Sequence, residues 1–194
     1  MSQLLENKKY IGEIINNSYI NSSIINDMND LSLIVEWIKE AIDKDLIQFK
    51  SIFKMSENGT KSEDFHKFCD NKGPTLTIIK TTKNNIFGGF TPFNWNSNEG
   101  NICDELNQTF IFSLNSKKKF GIKEKNSFAI KNQSDCGPIF GNFDFGLRDN
   151  MKIGKVYATE KSSFLSINNL ELIGENKNSE PFETEELEIF KVIY

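Results

Sequence analysis

Residues 65–81 read FHKFCDNKGPTLTIIKT, with His66, Cys69 and Asp70 placed just ahead of the Gly73-Pro74 pair. The stretch is either a thiol–imidazole cluster or a helix end, a tight turn and a buried strand. His66 and Cys69 are three positions apart, hence neighbours on one helix face. A thiolate nucleophile needs a base within hydrogen-bond reach and an electropositive setting. Two side chains projecting in parallel from one short helix do not supply that alignment. The simpler reading packs Cys69 as a small hydrophobe and leaves His66 at the surface. The helix then ends near Asp70, Asn71 takes a left-handed conformation, and Gly73-Pro74 turns the chain into a strand. The stretch reads as structural.

Working outward, TLTIIKTT (75–82) and NIFGGFT (85–91) are strands joined at Lys83-Asn84-Asn85 as a hairpin. Two glycines inside a strand, Gly88 and Gly89, mark a bulge or a close backbone approach. KSEDFHKFCD (61–70) is a short helix with Ser62 as N-cap and Phe65, Phe68 and Cys69 facing inward. IQFKSIFKM (47–55) reads as a strand and SENG (56–59) as a turn. Upstream, NDLSLIVEWIKEAI (29–42) carries Leu31, Ile34, Ile38 and Ile42 on one side, an amphipathic helix capped by Asn29 or Asp30. Residues 1–28 form a lead-in, with Leu4, Ile11, Ile14 and Ile15 as its apolar positions. Residues 29–194 form the domain.

Downstream, PFNWNSNEGN (92–101) is a loop bearing Phe93 and Trp95. TFIFSL (109–114), SFAI (127–130) and ELEIFKVIY (186–194) alternate as strands. Residues 132–155 read as a glycine-rich loop, and FLSINNLELIG (164–174) as a strand or bent pair. Helices come early and short strands follow, which predicts an α+β fold: an antiparallel β-sandwich of two sheets flanked by short helices. The 17 phenylalanines suit sheet faces lined with aromatics.

The net charge of −4 and the single arginine, Arg148, exclude the basic face of a nucleic-acid binder. Lys117-Lys118-Lys119 is the one basic cluster and reads as a solvated turn. Cys69, Cys103 and Cys136 are widely spaced, make no C-x-x-C pair, and form no zinc pattern with His66. They read as free thiols of a reducing compartment. No apolar run approaches the roughly 20 residues of a membrane span, and the N-terminus lacks a signal-peptide layout. The expectation is an intracellular, soluble protein.

The remaining chemistry is weak. Carboxylates are plentiful at Asp104, Glu105, Asp144, Asp149, Glu185, Glu186 and Glu188, yet no spacing selects a catalytic pair. The run 183–188 reads as a charged strand edge. Neither GGF nor FGNFDFG has the lysine or glycine spacing of a phosphate loop. No catalytic residue, cofactor or metal ligand is predicted.

One combination is specific. FHKFCDNKGPTLTIIKTTKNNIFGGFTPFNW, then TFIFSL, GPIFG, a late glycine-rich aspartate segment and a terminal EELEIFKV run in order over residues 50–194 and resemble a TLDc domain. The resemblance implies a compact β-sandwich with flanking helices, of the kind found in oxidation-resistance proteins. It also implies a binding role toward the vacuolar proton-pumping ATPase, with no accepted active site. Gly89 in FGGF and Gly141 in PIFG match glycines of motifs tied to that binding. The resemblance therefore makes Gly88, Gly89, Phe90, Trp95, Gly141, Phe143 and Asp144 the candidate partner-binding residues. One departure stands out: where many members continue as G-G-G-H-D, this chain has Gly141-Asn142-Phe143-Asp144-Phe145, so the histidine is replaced by an aromatic. The expectation is a non-enzymatic interaction module in the cytoplasm, at the surface of endolysosomal or vacuolar membranes. A hydrolase or redox enzyme using the domain's carboxylates or thiols is the alternative.

Overall fold

The computed structural model describes residues 20–157, 159, 161–165, 169–174 and 181–194. Leu4, Ile11, Ile14 and Ile15 of the expected lead-in lie outside the described residues. Helix α1 (Met28–Ile42) starts at Asp27, whose carboxylate accepts the Asn29 N–H, so the cap lies two positions ahead of the expected Asn29. Strand β1 (Gln48–Lys54) leads into a single helical turn, α2 (Met55–Asn58), where a plain turn was expected. Helix α3 (Ser62–Cys69) follows. Ser62 is its first helical residue instead of its cap: Asp64 accepts the Lys61 N–H at 3.1 Å, and Ser62 Oγ donates to Asp149 at 2.8 Å.

Strands β2 (Thr75–Thr81) and β3 (Ile86–Thr91) form the expected hairpin, with Asn84 left-handed at φ 63°. Short strands complete the sequence: β4 (Gly100–Cys103), β5 (Phe110–Ser113), β6 (Lys118–Gly121), β7 (Phe128–Asn132), β8 (Cys136–Phe140), β9 (Phe145–Arg148) and β10 (Ile153–Val156). Helix α4 (Asn169–Ile173) stands where a strand was expected, and β11 (Pro181–Ile193) closes the fold.

The expectation of two sheets needs correction. Among the described residues the strands make one continuous 11-stranded sheet, in the order β4-β7-β8-β9-β10-β11-β2-β3-β5-β6, with β1 also paired to β11. The link is the 13-residue β11, whose first residues pair with β10 while the rest pairs with β2 and β1. The sheet nevertheless brings distant strands face to face. Phe87 on β3 meets Phe145 on β9 edge-on at 5.5 Å, although three strands separate the two along the sheet. This aromatic layer is the main core, with Phe53, Phe65, Trp95, Phe140, Phe182 and Leu187 among its members.

A second core lies under α1. Leu31, Ile34, Val35 and Ile38 pack there with Ile78, Phe90, Phe112 and Phe190, joined by Ile20, Ile24 and Ile25. Alternation along β11 serves both cores: Leu187 and Ile189 face the aromatic layer, while Phe190 and Val192 face the helix.

The stretch read as a loop, 132–155, holds β8, β9 and β10. Its glycines mislead because they make room for neighbours. A Cβ on Gly154 would meet the Phe182 ring at 2.2 Å, and β8 is buried throughout. The lysine triplet also differs from a free solvated turn: Lys117 bonds Asp30, Lys118 bonds Glu171 and Lys119 bonds Glu40. No described helix is long and apolar enough to cross a membrane.

Candidate functional site

The glycine strand is interior. Gly88 and Gly89 are buried on β3, and Phe90 has no exposed surface. The β2–β3 register runs without a bulge, so the glycines serve close approach. A Cβ on Gly88 would stand 1.9 Å from the Thr77 carbonyl oxygen, and one on Gly89 would stand 2.5 Å from the Phe140 ring. Trp95 is equally enclosed. Its ring packs edge-on against Phe65 and Phe140, and its Nε1 donates to Thr75 Oγ1 at 2.9 Å.

The turn between β8 and β9 reaches the surface. Gly141 (φ 65°) and Phe143 (φ 69°) are both left-handed, and Asp144 N–H donates to the Phe140 carbonyl at 2.9 Å. The Asp144 carboxylate lies in the space a Gly141 Cβ would need, 1.8 Å from that position, and accepts the Ser163 N–H at 2.8 Å. Burial raises its pKa above the ordinary carboxylate value, against the opposing pull of hydrogen bonds from Ser163 and Ser162. Asp144 thus ties the turn to the 162–163 segment and is closed to solvent. Asn142 is exposed and Phe143 half-buried. Over the Phe143 ring sit the Lys131 ammonium, 5.2 Å from the centroid, and the Arg148 guanidinium, at 5.5 Å. Asp135 is exposed on the same side. Its carboxyl is held below the usual range, chiefly by the Gln133 side-chain amide and also by the field of Arg148.

The helix-end stretch is structural in a way the sequence reading missed. His66 is buried, not at the surface: one ring nitrogen faces Asp70 at 2.8 Å and the other faces the Gln133 carbonyl at 3.1 Å. Ser97 Oγ donates to the other Asp70 oxygen at 2.7 Å. The serine therefore bonds the carboxylate, and both imidazole nitrogens are engaged, by Asp70 and by the Gln133 carbonyl. Asn71 takes the expected left-handed conformation, at φ 58°. Its N–H donates to the Trp95 carbonyl at 2.9 Å, while Gly73 N–H donates to Asn94 Oδ1 at 2.9 Å. Together these bonds bind the turn at 70–74 to the 93–97 loop.

A glycine strand pressed on Phe140, a tryptophan locked to the first strand of the hairpin and a left-handed Gly141 turn tied by its aspartate form a connected arrangement. The family model described as TLDc domain matches residues 19–193, essentially the whole chain. The chain belongs to the TLDc domain family. No match is found among curated proteins.

Most other reactive groups of the TLDc domain are buried, Cys103 being the exposed thiol. Cys69 is fully buried, and burial drives its thiol far above the ordinary range. Burial likewise pushes the Cys136 thiol up to about 11, with the Asp135 carboxylate beside it adding to the rise. Cys103 is exposed. Asp104 is buried and accepts the N–H groups of Leu106 and Thr109. Within the run 183–188, residues 184–187 pair with β2 alone and Glu183 and Glu185 are exposed, whereas Glu188, paired with both β1 and β2, is only 2% exposed. Both Glu188 oxygens take hydrogen bonds from Ser22 and Ser23. A polar cleft of about 290 Å³ opens between residues 123–128 and 161–163. Among the described residues no group of three His, Cys, Asp or Glu side chains is close enough to hold a metal ion.

Of the seven sequence candidates, Phe143 alone is partly open to solvent. Lys131 and Arg148 escaped the sequence reading because they lie on β7 and β9. Only the pairing of both strands with β8 brings them to one turn.

Proposed function

We propose that this TLDc domain is a non-enzymatic interaction module. In this reading it engages the vacuolar proton-pumping ATPase through the turn 141–144 and so contributes to protection against oxidative stress. The observation that carries the reading is the Phe143 ring, held at the surface by a left-handed backbone and flanked by Lys131 and Arg148. An aromatic between two cations suits a partner that brings an apolar side chain and a carboxylate together. Left-handed geometry at a bulky residue costs roughly 1–2 kcal/mol, strain of the kind that collects at binding turns. Family membership supports the choice of partner. Gly88, Gly89, Phe90, Trp95, Gly141 and Asp144 then act from inside, by fixing the turn and its supporting sheet.

The non-enzymatic half is supported by the raised thiols of Cys69 and Cys136 and by the bonds that engage His66 and Asp70. The working location is the cytoplasmic face of the membranes that carry the pump. The test is equilibrium binding of the purified catalytic sector by the intact chain, with and without nucleotide. Saturable binding at micromolar or lower concentration is expected. Absence of binding in both conditions would remove the pump as partner.

A further inference from the structure

The segment before α1 is held down by a buried charge. Residues 20–25 lie outside any regular element, with Ile20, Ile24 and Ile25 inserted in the core beneath the helix. Between these anchors Ser22 Oγ donates to Glu188 at 2.5 Å. Ser23 donates to the same carboxylate twice, from its N–H at 2.9 Å and from its Oγ at 2.8 Å. Ser22 Oγ also accepts the N–H groups of Ile24 and Ile25 at 3.0 and 2.9 Å, which closes the local turn. All three described hydrogen bonds to Glu188 thus come from this strap. The cation opposite Glu188 in the β1–β11 register, Lys54, is paired with Glu57 at 3.3 Å.

The two serines differ in access. Ser22 is half-buried, whereas Ser23 is exposed and lies in irregular backbone, the setting a modifying enzyme can reach. Its hydroxyl is a donor to a buried carboxylate, a role that a phosphoryl group reverses.

We propose that Ser23 is a phosphorylation site, and that phosphate there unlatches the strap 20–25 from Glu188. In the modification a protein kinase supplies a nucleoside triphosphate. Ser23 Oγ bonds to the γ-phosphorus, the bond to the bridging oxygen breaks, the nucleoside diphosphate leaves and the hydroxyl proton is released. The modified side chain carries close to two negative charges and no donor proton at neutral pH. Beside a carboxylate with almost no solvent access, that repulsion replaces one hydrogen bond and strains the other two. The strap lifts and takes Ile24 and Ile25 from the core, while α1 keeps its own cap at Asp27. This switch does not depend on which partner the domain binds.

Hydrogen exchange on the intact chain tests the latch. Ser23→Glu should speed exchange of the Ile24 and Ile25 amides at least tenfold, with β2 and the centre of β11 unchanged. Ser23→Ala removes the hydrogen bond without adding charge and should change the same amides no more than a few-fold. Glu188→Gln combined with Ser23→Glu should bring exchange back toward the wild-type rate. Equal behaviour of Ser23→Glu and Ser23→Ala, or no recovery in the double variant, overturns the latch. Mass spectrometry of the protein from the cells that make it tests the modification. Phosphate on Ser23 is expected in a fraction of the molecules, and its absence in growing, starved and oxidant-treated cells alike overturns that half.

Discussion

Gly89 presents its bare α-carbon to the ring of Phe140, so closely that a Cβ would lie 2.5 Å from the nearest ring carbon. The two residues sit on β3 and β8, far apart along the sheet, and their approach helps set how closely the facing strands pack. Any side chain at 89 must push the aromatic layer apart. Gly89→Ala should destabilise the fold by about 1–3 kcal/mol. Gly88→Ala should cost at least as much, since its Cβ would meet the Thr77 carbonyl, a backbone atom with nowhere to go. Urea denaturation of both variants checks this. Losses under about 0.5 kcal/mol would show that the sheet yields at these points, and would return the glycines to the list of direct contact residues.

Backbone strain at Phe143 is separable from the work of its ring. Phe143→Ala removes the ring and keeps a Cβ in the left-handed region; Phe143→Gly removes both. The glycine variant should therefore be the more stable of the two by about 1 kcal/mol. Thermal or urea unfolding of the pair measures the difference. Equal stability would mean that the turn relaxes when the ring is gone.

Asp144 predicts a pH dependence with a definite sign. Burial raises its native pKa above the ordinary 3.8, so over a window above that value the folded chain keeps a proton that the unfolded chain has lost. Its favourable contribution is complete below the unfolded value and is lost as pH rises through the native one. Asp144→Asn removes this titration and keeps an oxygen for the Ser163 N–H. The variant should gain stability relative to wild type across that window and hold a constant difference above it. Denaturation curves at a series of pH values between 3.5 and 7 are the check, and a difference independent of pH would contradict the burial account.

Thiol accessibility should divide the cysteines one against two. Cys103 is exposed, whereas Cys69 and Cys136 are buried with raised thiols. One equivalent should react with a disulfide reagent in the native protein at pH 8, and three after denaturation. Fast reaction of two or three native thiols would reopen the redox alternative.

The hairpin, α1 and the Asn71 turn were legible in the sequence because each rests on local signals: alternation, a helical stripe and a left-handed asparagine. The strands within 132–155 were not. Their glycines answer to Phe182, Met151 and Ile139, neighbours that only the folded sheet supplies. His66 was misplaced for a similar reason, since the Gln133 carbonyl that buries it lies 67 positions along the chain. Glu188 looked like solvated edge charge because nothing local announces Ser22 and Ser23 as its partners. The candidate site was half legible. Its glycines and aspartate stood in a recognisable order, while the cations that flank Phe143 come from separate strands.

The central claim is that the turn at 141–144, with its flanking cations, is the surface that holds the pump. The most direct measurement is the affinity of the intact chain for the purified catalytic sector of the vacuolar ATPase, for wild type and for Lys131→Glu/Arg148→Glu. Both side chains lie at the surface side of their strands and add only about 0.5–1 kcal/mol each through the ring, so the double variant should stay folded. The account predicts saturable wild-type binding weakened at least tenfold by the charge reversal, with an unchanged circular dichroism spectrum. Equal affinity of the two proteins would contradict it.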